Sequence, residues 1–266
     1  MDKIRSADGT SIAYEKTGSG NPLVLVPGGG ANDHRRWDLG GIRSALEKHF
    51  TVYAMDGRGL GESGDSAEYE LEREFEDVAA VVDATDEPAA LLGHSFGGLL
   101  ALEAALRTGN LYKLVLYEPP LAVGDYKLIS GEMVSEMKRL LEGGENEQVL
   151  MLFLKEVAKI APAEIEALRS APNWPERVKA AHTLPRALQG VGAYKFDPER
   201  FKKLAVPTLL LTGSESPPPM KEATKAISAA LPNSRIVTFE GHGHVAMNTA
   251  PELFIKEILA FNREAN

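Results

Sequence analysis

The chain has 266 residues, 44% of them hydrophobic and 25% charged, with a formal net charge of -9 at pH 7 and no cysteine. These proportions are those of a globular protein with enough apolar residues for one large α/β domain or two small ones. The negative balance, with no compensating basic block, argues against a nucleic-acid partner, and the lack of cysteine excludes disulfides, thiolate catalysis and cysteine-ligated metals.

The opening residues Met1-Asp2-Lys3-Ile4-Arg5 hold no apolar signal core, and no run in the chain is long enough to span a bilayer. A cytoplasmic location with no membrane partner is therefore the expectation. Lys3 to Ser6, the turn at Asp8-Gly9 and the rough alternation Ser11-Ile12-Ala13-Tyr14-Glu15 predict an antiparallel hairpin. Leu23-Val24-Leu25-Val26 is continuously apolar, the mark of a strand buried on both faces. From there strands and helices alternate. Ile42 to Lys48 is predicted helical, Thr51 to Met55 a strand, Leu71 to Val82 a helix, Pro88 to Leu92 a strand, and Leu99 to Arg107 a helix stopped by Gly109-Asn110. Lys113 to Tyr117 is another strand. After a long interval the alternation resumes with a strand at Thr208 to Thr212, a helix from about Met220 to Ala230, a strand at Arg235 to Phe239 and a last helix to Phe261. Such alternation predicts a mostly parallel sheet with helices on both faces.

One turn organises the rest: Gly93-His94-Ser95-Phe96-Gly97-Gly98, between a predicted strand and a predicted helix. That is the context of a G-x-S-x-G nucleophile elbow. A serine on so sharp a bend presses the residues two before and two after it against neighbouring backbone, where a Cβ would clash. The bend exposes the hydroxyl and leaves the first helical N–H groups free to face a developing oxyanion.

The interval from about Leu121 to Phe201 breaks the rhythm. Glu147 to Ala161 is apolar around much of a helical circumference, and shorter pieces are punctuated by Pro162, Pro172, Pro175 and Pro185. It reads as an inserted helical cap over the strand ends, residues 121–201, between core segments 1–120 and 202–266. Its apolar helix offers a pocket lining, although Met151 and Phe153 are read first as core.

Other chemistries fit poorly. Pro27-Gly28-Gly29-Gly30 is followed by no Gly-Lys-Ser/Thr, so a phosphate cradle fails, and Glu62 stands where the run beginning at Gly57 would need glycine to be a dinucleotide fingerprint. His242 and His244 have no third metal ligand nearby. His34, His49, His94 and His182 receive no chemical role.

The order of elements, the elbow, Pro27-Gly28-Gly29-Gly30, the run Asp56 to Ser63, and Glu240-Gly241-His242-Gly243-His244 ahead of Pro251 together resemble the α/β-hydrolase family. The resemblance covers nearly the whole chain outside the cap. It implies an α/β-hydrolase fold and an oxyanion hole from the backbone N–H groups of Gly29 and Phe96, the donor at Gly29 surviving the replacement of the family's usual histidine by Pro27. It makes Asp56 and Arg58 loop-ordering residues. It also selects His244 over His242 as the base, because the family's histidine stands seven residues before that proline. Thr249-Ala250-Pro251-Glu252 reads as a capping box for the last helix.

The acid departs from the pattern, since Ser216 stands where the family usually has aspartate after Gly213. Glu215 lies one residue early. Glu118 ends the strand after the elbow helix, a place that some members, notably haloalkane dehalogenases, use for their acid. Glu118 is preferred because Pro119 and Pro120 fix its backbone, and Glu215 stays the alternative. The reaction implied is acyl transfer to water through Ser95, with no cofactor or metal. The partner is a small-molecule substrate, an ester or lactone of small or medium size, which the apolar cap favours over a charged one. Carbon–carbon bond hydrolysis, perhydrolysis, a lyase reaction and non-catalytic binding on the same fold are the alternatives. Oligomeric state is not legible.

Overall fold

Successive side chains of a strand point to opposite faces, so a strand apolar at every position needs cover on both. In the computed structural model, which describes residues 1–122, 129–160 and 162–264, that cover is present. The strands are β1 (Asp2–Arg5), β2 (Ser11–Gly18), β3 (Asn21–Val26), β4 (Phe50–Met55), β5 (Ala89–His94), β6 (Leu111–Tyr117), β7 (Thr208–Gly213) and β8 (Ser234–Phe239). They form one sheet in the order β1-β2-β4-β3-β5-β6-β7-β8. The first two pairings, β1 with β2 and β2 with β4, are antiparallel and the others parallel. The predicted α/β-hydrolase architecture is the one observed.

Leu23 and Leu25 of β3 pack on one face with Trp37 and with helices α1 (Ile42–Leu46), α10 (Ala246–Thr249) and α11 (Pro251–Arg263), through Leu46, Met247, Phe254 and Ile258. Val24 and Val26 pack on the other face with α2 (Leu71–Asp83), α3 (Phe96–Ala104) and α9 (Pro218–Ala230), through Phe75, Val78, Leu99 and Ile227. The segment between β6 and β7 builds α4 (Gly131–Glu142), α5 (Asn146–Leu152), α6 (Pro162–Arg169), α7 (Trp174–Lys179) and α8 (Leu184–Ala193). These helices share a separate apolar cluster that includes Met137, Leu150, Phe153, Trp174 and Leu188. Of the stretch predicted to be an inserted cap, residues 123–128 and 161 lie outside the described residues.

Two local expectations are revised and one unpredicted element appears. The helix predicted over Glu147 to Ala161 ends at Leu152 and continues as a π turn over Phe153–Val157; such turns occur mostly as single-turn insertions, often at functional sites. A 3₁₀ segment over His34–Gly41 precedes α1. The capping box does not form. Ala250 is the N-cap of α11, with Pro251 at the first turn and no side-chain cap, because the Thr249 hydroxyl is bonded to His242 Nδ1 at 2.9 Å.

Register sets the site. His94 is paired with Tyr117, and Tyr117 with Leu211. The residues that follow these strands therefore emerge together at their carboxyl edge, where ligands bind in open α/β sheets.

Candidate active site

Ser95 sits at φ 52° and ψ -122° between β5 and α3, outside the conformations a non-glycine residue prefers. The bend depends on close backbone approach. A Cβ on Gly97 would lie 2.4 Å from the Pro27 carbonyl oxygen, and one on Gly93 2.2 Å from that of Gly97. Ser95 N–H donates to the Tyr117 carbonyl at 2.8 Å, and the Ser95 carbonyl accepts from Gly98 and Leu99. Its own C=O thus starts the helix, while the N–H of Phe96 donates to no acceptor among the described residues, and neither does that of Gly29. Asn32 holds the Gly29 loop by donating to the Gly28 and Gly29 carbonyls at 3.3 and 2.6 Å.

Glu118 follows directly on β6 with φ 44°, a second strained residue at the same edge. The residue is 1% exposed, and both carboxylate oxygens are engaged. Oε1 accepts from Thr212 Oγ1 at 2.7 Å and from Gly213 N at 2.9 Å, and Oε2 accepts from His244 Nδ1 at 2.7 Å. Burial raises the carboxyl pKa, but the hydrogen bond and charge of His244, with the Gly213 N–H, outweigh it and leave Glu118 below its ordinary value. An ionised carboxylate only accepts, so Nδ1 carries the proton and Nε2 has a free lone pair.

The His244 loop is tied down from beneath. Tyr117 Oη donates to the Gly243 carbonyl and accepts from Ala246 N at 3.0 Å. His94, assigned no role from the sequence, belongs to this scaffold. Its Nε2 donates to the His244 carbonyl at 2.9 Å, and the two rings lie 4.7 Å apart. Burial, with the nearby His244 and Arg36, holds its pKa well below the ordinary value, so it stays neutral. The signal was present: His94 precedes the elbow serine, a position whose side chain must point to one face of a doubly covered sheet.

Glu215 is exposed, and among the described residues it meets this region through its backbone, its N–H donating to the His242 carbonyl at 2.9 Å. Ser216 is buried near Glu118, with its hydroxyl outside hydrogen-bond geometry. His242 is bonded to Thr249 away from Glu118. Asp56 accepts from His34 N, His34 Nδ1 and Glu62 N, and Arg58 is buried against Asp77 and Asp8; both order loops. Asp33, His34 and Asp56 also stand close enough together to hold a cation, yet the Asp33 carboxylate is engaged by Arg35, and the donors to Asp56 already satisfy it.

Ser95, His244, Gly29 and Phe96 line one cavity of about 330 Å³. Its apolar lining includes Phe153, Leu154, Leu188 and Ile129. Phe153, read first as core, is both core and wall: a Cβ on Gly29 would meet its ring at 3.2 Å. An imidazole oriented by a buried carboxylate, a hydroxyl on a strained bend and two free N–H donors around one cavity are the parts that acyl-transfer chemistry requires.

Comparison with known proteins agrees with the fold. The family model described as "Alpha/beta hydrolase family" matches residues 23–257. An alpha/beta hydrolase from Sphaerobacter thermophilus is 33% identical with a TM-score of 0.82, covering 98% of this chain and 100% of that one. The esterase RhEst1 from Rhodococcus sp. ECU1013 is 27% identical with a TM-score of 0.77, covering 98% and 97%. A 2-hydroxy-6-oxo-6-(2'-aminophenyl)hexa-2,4-dienoic acid hydrolase from Metapseudomonas resinovorans is 22% identical over 98% of this chain and 90% of its own. With the family model spanning most of its length, from the first buried parallel strand into the last helix, this chain belongs to the alpha/beta hydrolase family.

Proposed function

We propose that the protein is a serine hydrolase that cleaves a carboxylic ester or lactone of small or medium size through an acyl-enzyme on Ser95. The observation that carries this reading is the 2.7 Å contact between His244 Nδ1 and Glu118 Oε2 in the cavity that Ser95 lines. It fixes the tautomer whose free Nε2 is able to take the serine proton. Ser95 Oγ attacks the carbonyl carbon while its proton passes to His244 Nε2, and the tetrahedral oxyanion lies against the N–H groups of Gly29 and Phe96. Collapse expels the alcohol, which takes the proton from His244. Water, deprotonated by His244, then repeats the addition and frees the acid and the serine. Glu118 stabilises the imidazolium at each stage without itself being protonated. The helices between β6 and β7 act as a cap that supplies the apolar wall, and the likeness to the Rhodococcus esterase supports an ester substrate.

Cleavage of an oxo-dienoic acid by the same residues is a second reading, supported by the likeness to the Metapseudomonas resinovorans enzyme. A screen of p-nitrophenyl esters of increasing chain length, aromatic lactones and such a dienoic acid decides between them. Turnover of esters or lactones is expected; turnover of the dienoic acid alone selects the second reading, and turnover of none rejects both.

A further inference from the structure

The cavity wall is not wholly apolar. Arg36, in the 3₁₀ segment after β3, and Arg177, on α7, both line it and are 7% and 4% exposed. Among the described residues, no carboxylate lies within ion-pair distance of either. Arg36 donates from Nη1 to Asn248 Oδ1 at 3.0 Å and makes no other hydrogen bond there. Arg177 donates from Nε and Nη2 to the Gly30 carbonyl at 3.1 and 2.9 Å, leaving Nη1 unused, and lies over the Trp174 ring. Asp33, whose charge reaches Arg177, is engaged by Arg35, and Glu156, another wall residue, by Lys159 at 3.1 Å. Burial pushes both guanidinium pKa values down to about 10, with Arg177 adding its repulsion at Arg36. Both therefore stay charged at neutral pH.

Two buried cations with no carboxylate in ion-pair contact, one repelling the other, are costly unless something supplies a partner. In a chain whose net charge is -9, no described acid pairs with either arginine. Both side chains line the cavity with N–H groups to spare, and planar guanidinium forks suit a carboxylate.

We propose that Arg36 and Arg177 form an anion subsite of the Ser95 cavity that binds a carboxylate carried by the substrate away from its scissile carbonyl. The substrate class is then a half-ester of a dicarboxylic acid or a lactone bearing a carboxylate, its apolar middle against Phe153 and Leu188. This deepens, and for the substrate rests on, the serine-hydrolase reading above, and it replaces the expectation that the apolar cap disfavours charge.

The test has two arms. In the first, kcat/KM is measured for mono-p-nitrophenyl glutarate and for neutral p-nitrophenyl valerate. The parent should prefer the anionic ester by about tenfold or more, a preference that Arg36→Met and Arg177→Met each reduce by about tenfold. Arg139→Met, which alters an exposed cap arginine paired with Glu136, should leave the preference unchanged. In the second arm, calorimetry follows glutarate and inorganic phosphate binding to Ser95→Ala, a readout that needs no turnover, with circular dichroism confirming that each arginine variant is folded. Glutarate should bind, and adding either arginine substitution should abolish it. Glutarate binding with no ester turnover by the parent keeps the subsite and rejects the hydrolase reading. No anionic preference and no glutarate binding overturn the subsite, and binding of phosphate but not glutarate overturns its assignment to a carboxylate.

Discussion

Glu118→Gln isolates the role of the acid, because the surrounding donors dictate how the amide must sit. Glu118 Oε1 receives hydrogen bonds from Thr212 Oγ1 and Gly213 N, so that position needs an oxygen. The amide NH₂ is thereby forced to the other position, 2.7 Å from His244 Nδ1. It donates there, so Nδ1 must accept and the proton moves to Nε2, the wrong nitrogen for receiving one from Ser95. Turning the amide over restores the tautomer but sets NH₂ against the Gly213 N–H. The Thr212 hydroxyl is able to rotate and accept, whereas the buried Gly213 N–H loses its acceptor, at about 1–3 kcal/mol. At ~1.4 kcal/mol per tenfold, that disfavours the productive arrangement by roughly 10–100-fold. Loss of the charge that stabilises the imidazolium adds to this, and the total should lie at about 10²–10⁴-fold in kcat, in line with triad aspartate-to-asparagine changes. The assay is steady-state hydrolysis of a p-nitrophenyl ester, with circular dichroism to confirm the fold, beside Glu215→Gln as the comparison. Glu118→Gln retaining activity within about tenfold of the parent, or Glu215→Gln being the crippled variant, would refute the reasoning.

His244→Ala should lower ester turnover as far as Ser95→Ala does, because members of such a unit are not additive, while His242→Ala, whose side chain is hydrogen-bonded to Thr249, should keep most of it in the same assay. Gly97→Ala should destabilise the fold by about 1–3 kcal/mol in urea unfolding, since its Cβ would press on the Pro27 and Val26 carbonyl oxygens at 2.4 and 2.5 Å. Glu103, buried on α3, is bonded to Arg107, Arg200 and Tyr194. Burial raises its pKa but these partners bring it below the ordinary value. Its stabilisation is therefore present above the unfolded-state pKa and lost as pH falls through the folded one. Glu103→Gln should cost about 2 kcal/mol near neutral pH, and denaturation curves of variant and parent should converge on acidification.

Much of the site was legible because its constraints are local. Gly93 and Gly97 flank Ser95 at the spacing a tight bend requires, and continuous apolar runs such as Leu23–Val26 mark strands covered on both faces. What was not legible depends on register or on contacts between distant segments. Glu118 and Glu215 both follow strands at the catalytic edge, and only the placement of Thr212 and Gly213 around Glu118 shows which carboxylate is held against His244. Arg36 and Arg177 look like ordinary surface charges until the fold brings two separate segments to one cavity wall. The last helix lacks its capping box because Thr249 has a competing partner in His242, a contact that no pattern within the helix announces. The π turn that begins at Phe153, whose ring lies against the Gly29 loop, is likewise not announced by helical periodicity.

The central claim is that Ser95 is a nucleophile activated by His244, and covalent labelling tests it without knowledge of the substrate. The protein is incubated with a fluorophosphonate and its intact mass read, followed by peptide mapping. The account predicts a single adduct on the peptide containing Ser95, absent from Ser95→Ala and strongly slowed in His244→Ala. An unlabelled parent protein, or an adduct that persists at full rate in Ser95→Ala, would contradict it.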